Sequence, residues 1–378
     1  MVKLAIEGGE PTKLLMFAAI GTPDGKPRLL RFPPGEAPEY DRSVSTHQAI
    51  RKCKYFPKGW QLDLVILTPF NLSTRRGLKK KLESLAMIAR IGRLAFWACR
   101  KYDVLICGQV TMVSICLGLF QRLLFLHRPV LIVREFMLGA YKAGTPSWFR
   151  LALIKFIFKE VALIVCSSHT EAEHYCELLG WPSSRAVFLH LPSLRPHLRP
   201  KSTSEAPFIL SAGRTGRDYG TLLQAVKGLE LKVTLVCSPK NLEGLEIPDT
   251  VQVRYDISRT EYESLVESCT FLVIPLVKAN CSAGQRVIEA AMSCGKAVIA
   301  TNTAGTEDYI INGETGILVK PDDVGAMRSA VWSLWEDTEL RERLGKLGRE
   351  YALRHFSDEA YAEGFLNHLK KILSVKKA

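Results

Sequence analysis

The sequence predicts an α/β fold made of two doubly wound domains, and three observations carry that prediction. Short runs rich in Val, Ile and Leu recur along the 378-residue chain, helix-length segments separate them, and one proline-bearing stretch divides the series in two. Length agrees with two domains, at about 100–200 residues each.

The apolar runs come first. Strand candidates before the division are KLLMFAAI (Lys13–Ile20), LDLVILT (Leu62–Thr68), DVLICG (Asp103–Gly108), PVLIVREF (Pro129–Phe136) and VALIVCSS (Val161–Ser168). After it come PFILSAG (Pro207–Gly213), KVTLVCS (Lys232–Ser238), TFLVIPL (Thr270–Leu276) and KAVIATN (Lys296–Asn302). Several are continuous rather than alternating, as expected where helices cover both faces of a parallel sheet. The intervening segments are long enough for helices, which is the pattern of βαβ units, and their crossovers should be right-handed. Val104–Gln121 is uncharged and nearly long enough to span a bilayer. Its Gly108-Gln109 break splits it instead into a buried strand and a core helix.

The division lies at LPSLRPHLRPKSTSEAP, Leu191–Pro207, where prolines mix with Ser, Arg and Lys without apolar periodicity. It reads as an exposed linker. The expected organisation is a first domain over residues 1–191, a linker over 192–206, a second domain over 207–356, and a last helix over 357–378 packing back on the first domain. In paired sheets of this kind ligands bind outside the carboxyl ends of the strands, in the cleft between the domains.

Composition sets limits on partners. Hydrophobic content of 47% and charged content of 24% are those of a globular protein. Lys plus Arg number 51 against 38 for Asp plus Glu, a formal net charge of +13. Such a surplus favours phosphate-bearing partners: nucleic acid, anionic lipid or nucleotide-linked substrates. No basic-aromatic module of a nucleic-acid-binding type is present, so nucleic acid is not an expected partner. The ten cysteines form no C-x-x-C pair or His/Cys ligand spacing. They read as small core residues of a reduced, cytoplasmic protein, and no metal site is expected. Glu7 and Glu10 interrupt the N-terminal apolar stretch, which therefore does not read as a secretory leader.

Two stretches could carry chemistry. In NCSAGQRVIEAAMSCGKAVIATNTAG, Asn280–Gly305, a small-residue loop follows a strand and a helix begins near Ser282–Gln285. The free N–H groups and positive dipole end of such a helix suit a diphosphate. Glu289 lies one to two turns further on, within reach of sugar hydroxyls at that mouth. Spacing alone equally allows Glu289 to cap a neighbouring loop or to pair with Lys296. In GRTGRDYGTLLQA, Gly213–Ala225, Arg214 and Arg217 flank a glycine-bearing loop ahead of a helix. They form a candidate phosphate clamp, because planar guanidinium groups bind phosphate oxygens bidentately; two solvated surface arginines fit the same pattern.

Taken together and in this order, SAGRTGRDYGTLLQA and GQRVIEAAMSCGKAVIATNTAGTEDYIINGETGILVKPDD resemble the GT-B-fold glycosyltransferases of the large retaining, nucleotide-sugar-dependent class (group 1, family-4-like). The resemblance covers about Pro207–Phe356 and, more faintly, VALIVCSSHTEAEHYCELLGW (Val161–Trp181). It implies a GT-B fold whose two Rossmann-like domains face a central cleft. It also implies transfer of a sugar from a nucleotide-diphosphate donor to a lipid-linked or saccharide acceptor, with retention and without a metal or other cofactor. Glu289 takes the position of the ribose-binding glutamate. Arg214 matches the family arginine and Arg217 the lysine position, and both, with Ser282 and Gly284, would hold the donor diphosphate. Where the family often has an acidic residue against the donor sugar, eight positions before the glutamate, this chain has Cys281. That leaves Cys281 and Gln285 as donor-sugar contacts, and it motivates an alternative: a degenerate GT-B-fold binding subunit without transferase activity. A GT-B-fold epimerase is the other alternative. Glu135, at the end of PVLIVREF where many relatives have a histidine or aspartate, is the candidate catalytic group.

The remaining basic surplus concentrates in the first half. Ser73–Lys101 combines Arg75, Arg76, Lys79, Lys80 and Lys81 with leucines and Trp97, and Pro146–Leu163 is aromatic and basic. Such helices suit either an anionic membrane surface at the cytoplasmic face or a core contact with a solvated basic side.

Overall fold

The computed structural model describes residues 12–19, 28–30, 42–67, 89, 92–108, 112–124, 129–136, 148–192, 195–201, 207–279 and 282–375. Cys281, Asn280 and the Arg75–Lys81 cluster lie outside them.

Among the described residues the first sheet has seven strands: β1 (Lys13–Ala19), β2 (Arg28–Leu30), β3 (Gln61–Leu67), β4 (Val104–Cys107), β5 (Val130–Val133), β6 (Val161–Cys166) and β7 (Ala186–Phe188). Their order is β2-β3-β1-β4-β5-β6-β7, all parallel except β2 against β3. The second sheet has β8 (Ile209–Ala212), β9 (Val233–Cys237), β10 (Val251–Tyr255), β11 (Phe271–Ile274), β12 (Val298–Thr301) and β13 (Ile317–Val319). Its order is β10-β9-β8-β11-β12-β13, fully parallel. Strand order reverses between β1 and β4 in one sheet and between β8 and β11 in the other, so each sheet has a topological switch point there. The central strands β4, β5, β8, β11 and β12 are buried along their whole length, which explains their continuous apolar runs.

Helices fill both faces of the first sheet. On one side lie a helix over 92–101 (α2), α3 (Met112–Leu123), α4 (Trp148–Phe158) and α5 (His169–Leu179), with Ala95, Leu117, Phe158 and Tyr175 in a shared core. On the other side lie α1 (Arg42–Lys52) and α11 (Asp358–Val375), the last helix of the chain. From α11, Tyr361, Phe365, Leu366 and Leu369 are buried with Leu14, Ile50 and Leu64. Side chains of this size each contribute about 1.5–3 kcal/mol on full burial. The second sheet is flanked by α6 (Tyr219–Val226), α7 (Arg259–Ser268), α8 (Gln285–Cys294), α9 (Val324–Glu336) and α10 (Thr338–His355). Sequence-encoded caps start these helices: Ser168, Asp218, Ser258, Asp323 and Asp337 each accept a hydrogen bond from a backbone N–H three residues on.

The Leu191–Pro207 stretch is not simply an exposed linker. Leu198 is buried in the core of the second sheet with Phe356 and Ala352, because a leucine lodged beside α10 removes more apolar surface than one left in water. Val104–Gln121 resolves into β4 and α3. No described helix is long and apolar enough to cross a membrane. The nine described cysteines are free thiols, six of them buried.

Candidate functional site

The mouth of α8 lies beside the β8/β11 switch point, and local geometry explains why. Gly284 precedes the helix with φ +86°. A side chain there would press on Ile274 at the end of β11, so this turn calls for glycine. The loops after β8 and β11 are laced together: Val277 N–H donates to Gly216 O at 3.1 Å and Asp218 N–H to Pro275 O at 3.2 Å.

Two other segments, at Gly305 after β12 and at Ser168 before α5, close on the α8 mouth. Gly305, with φ +91°, has Gln285 Nε2, Ser282 Oγ and Ser168 Cβ so near that a Cβ at this position would collide with them. Ser282 and Gln285 are buried, and Gln285 Nε2 has no hydrogen-bond partner among the described residues. A buried amide donor without a partner is costly, and its position at a helix N-terminus is where an anionic or hydroxyl-rich ligand would supply the acceptor.

The first domain contributes directly. Ser168 caps α5 by accepting from Glu171 N–H at 3.0 Å. The Glu171 carboxylate turns across the domain boundary and accepts from Ser282 N–H at 3.3 Å and Ser282 Oγ at 3.1 Å, and from Ser167 N–H at 3.2 Å. Burial raises the Glu171 pKa above the ordinary carboxylate value, and the bonds from Ser282 and Ser167 partly offset this. The N-termini of α5 and α8 therefore face one region, where both dipoles favour negative charge. Beside it, Asp308 accepts from His169 N–H at 2.9 Å and lies 2.7 Å from His169 Nδ1, while the Asp308 carbonyl is 2.8 Å from His190 Nε2. Leu191 N–H donates to Tyr309 Oη at 3.1 Å, so these contacts tie the two domains together at the end of the first.

The residues singled out from sequence fall as follows. Ser282, Gly284 and Gln285 form the α8 mouth, and Glu289, one turn in, is fully buried. Lys296 donates to Cys269 O at 2.6 Å, beyond the opposite end of α8. Arg214 and Arg217 sit in the loop after β8, but their guanidinium groups are engaged within the protein. Arg214 pairs with Asp256 at 2.9 Å, an exposed contact. Arg217 folds over Gly213 and donates to Ala212 O at 3.0 Å and Thr215 O at 2.9 Å, bracing the loop. Glu135 is half-buried. It takes a strained left-handed backbone (φ +46°) after β5 and faces Arg286 of α8 at 3.6 Å. That pairs one carboxylate of the first domain with one guanidinium of the second.

Sequence reading did not find Glu171, Gly305, Asp308 or Arg286. The pattern SSHTE, a Ser with Glu three residues later, is a helix-start signature. Nothing in it tells that the glutamate serves a second domain. Among the described residues no group of three or more His, Cys, Asp or Glu side chains could hold a metal ion.

With this geometry established, known proteins give the class. Residues 199–351, which hold the second sheet and most of its helices, match the family model "Glycosyl transferases group 1". An uncharacterized glycosyltransferase of Methanocaldococcus jannaschii is 26% identical over 149 residues, 38% of this chain and 41% of the relative. The lipopolysaccharide core biosynthesis glycosyltransferase LpsE of Rhizobium meliloti is 23% identical over 223 residues, 56% of this chain and 65% of the relative. The matched stretches thus span less than two thirds of either relative. In fold, the Anabaena protein HepE in complex with UDP and glucose superimposes with a TM-score of 0.64 at 14% identity, covering 95% of this chain and all of that one. The architecture is GT-B.

Proposed function

We propose that the protein is a glycosyltransferase that moves a sugar from a nucleotide-diphosphate donor, bound at the α8 mouth, to a lipid-linked or saccharide acceptor. The observation that supports this most is the convergence of Ser282, Gln285 and Gly305 on one helix N-terminus at the switch point, with the Gln285 amide donor lacking a partner among the described residues. Donor phosphates would accept from the free N–H groups of α8 and from its dipole end. As the bond to the sugar breaks, negative charge grows on the diphosphate leaving group, and fixed amides stabilise it without reorganising. Glu289 is read as the group for the ribose hydroxyls, Arg214 and Arg217 as donor-loop cations, and Cys281 and Gln285 as neighbours of the sugar. Glu135 and Arg286, facing each other across the cleft, would contact the reacting sugar or the acceptor.

No cofactor enters this reading, and retention of the anomeric configuration goes with it. The LpsE and HepE names, with lipopolysaccharide and UDP respectively, support a saccharide acceptor and a nucleotide donor. We place the enzyme at the cytoplasmic face of a membrane, where a lipid-linked acceptor would be presented. The test is a panel of nucleotide sugars screened for a raised unfolding midpoint, followed by a transfer assay with the best binder. Stabilisation by one sugar conjugate with turnover supports the reading. Stabilisation by nucleotides alone, with no transfer, would leave a binding subunit in its place.

A further inference from the structure

The outer surface of the first domain's helix layer combines exposed apolar side chains with one sign of charge. On α4, Trp148 is 81% exposed, Leu153 47% and Phe156 41%, beside exposed Lys155 and Lys159. These positions fall on one side of the helix, while Leu151, Ile154, Ile157 and Phe158 pack inward. The neighbouring end of α3 exposes Leu123 and Leu124 at 57% and 46%. On α2, Phe96 is exposed between Arg93 and Arg100, with the Arg100 guanidinium 4.5 Å from the Phe96 ring centre. Arg122 joins α3 to α4, lying 5.4 Å from the Phe156 ring and 3.5 Å from Glu160.

Apart from Glu160, which is paired with Arg122, the charge on this surface is basic. Between Glu83 and Glu160 the only acidic residues are Asp103 and Glu135. Asp103 accepts from Lys13 N–H at the foot of the sheet, and Glu135 faces Arg286 in the cleft, so neither belongs to the outer surface. Helices α2, α3 and α4 contain no acidic residue. A helix that is apolar all round is ordinarily enclosed by protein; α4 is apolar on its inner side and still carries Trp, Leu and Phe outward. Tryptophan and basic residues on the exposed side of a helix match the interfacial zone of a bilayer, where rings sit at headgroup level and cations meet anionic lipid.

We infer that the outward side of α2, α3 and α4 is a docking surface for an anionic lipid bilayer, with Trp148, Leu153, Phe156, Leu123 and Leu124 as the apolar contacts and Lys155 and Lys159 among the cations. The surface holds the domain flat against the leaflet, beside the cleft into which a lipid-linked acceptor would enter. This deepens the membrane part of the proposed function, but vesicle binding is read separately from nucleotide binding, so either can fail alone.

The experiment is co-sedimentation of the full chain with vesicles of phosphatidylcholine alone or mixed at about three to one with phosphatidylglycerol, at low and high salt. The expected result is binding to the anionic vesicles only, weakened by salt. Lys155→Gln with Lys159→Gln should lower the partition coefficient roughly 25-fold, since each basic residue at an anionic surface contributes about fivefold. Trp148→Ala should lower it about tenfold through lost apolar contact. Both variants alter exposed positions, and unchanged helical circular dichroism confirms that they fold. Equal binding to neutral and anionic vesicles, no binding by wild type, or variants that bind like wild type would overturn the inference. So would loss of binding only when Lys79, Lys80 and Lys81 are neutralised. Dissociation of a dimer by Trp148→Ala, in a wild type that ignores vesicles, would identify the surface as a contact between copies.

Discussion

The carboxylate of Glu171, in the first domain, accepts hydrogen bonds from both the backbone N–H and the hydroxyl of Ser282, in the second. One acidic side chain thus occupies donors at the helix mouth where the donor diphosphate is proposed to bind. It holds the domains together there, and its burial sets its proton affinity.

Glu171→Gln should therefore change how stability depends on pH. Burial raises the folded-state pKa above the ordinary carboxylate value of 4.5, so folding favours the protonated form. The sign follows: the stability linked to this group is fully present below 4.5 and is lost as pH rises through the raised value. The amide has no such titration. Urea midpoints across the weakly acidic range should fall with rising pH less steeply in the variant than in wild type. Identical slopes would mean that Glu171 is not buried in solution as it is here.

His47 works in the opposite direction. On α1, its Nε2 lies 3.3 Å from Leu62 O, and burial lowers its pKa from 6.5 to about 4. The unfolded chain then binds the proton more readily, and stability is lost as pH falls from 6.5 toward 4. The full effect is about 3 kcal/mol, from 1.36 kcal/mol per pKa unit. His47→Leu should remove this acid-side loss while leaving nucleotide binding intact. Each variant is compared with wild type at every pH, so the opposite slope from Glu171 cancels.

Gly305→Ala places a Cβ against Gln285 Nε2, Ser282 Oγ and Ser168 Cβ, at a φ of +91° that L side chains rarely adopt. Backbone strain of that kind costs about 1–3 kcal/mol. The variant should unfold at lower urea and lose at least tenfold in nucleotide affinity, because the α8 mouth must shift to accommodate the methyl group. Wild-type stability and affinity together would show that the convergence is not a binding site.

The fold was legible where the sheets are buried on both faces. Runs such as LIVC and FLVI have no alternation because no side of those strands meets water. Strands β2, β7, β10 and β13 escaped the reading. Three have only three residues, and β10, VQVRY, is a half-exposed edge strand. At the site, Ser282, Gly284, Gln285 and Glu289 were legible because they share one turn and one helix. The partners from distant segments were not. Glu171 and Ser282 are 111 residues apart, His169 and Asp308 139, and only the meeting of two separately folded sheets brings them together. The arginines show the complementary limit: spacing placed Arg214 and Arg217 in the loop after β8 but could not show that Asp256 and the carbonyls of Ala212 and Thr215 engage them.

The central claim is that the α8 mouth binds a nucleotide sugar and distinguishes the sugar. Calorimetric titration with nucleoside diphosphates and their sugar conjugates tests it most directly, in wild type, Glu289→Gln and Gln285→Ala. The account predicts that wild type binds one conjugate more tightly than its bare nucleotide. Glu289→Gln should weaken both roughly 10- to 100-fold, since a hydrogen bond to a charged group contributes about 1.5–3 kcal/mol. Gln285→Ala should erase the preference for the conjugate while sparing the bare nucleotide. A wild type that binds the bare nucleotide as well as every conjugate, or whose affinities ignore both substitutions, would contradict the account.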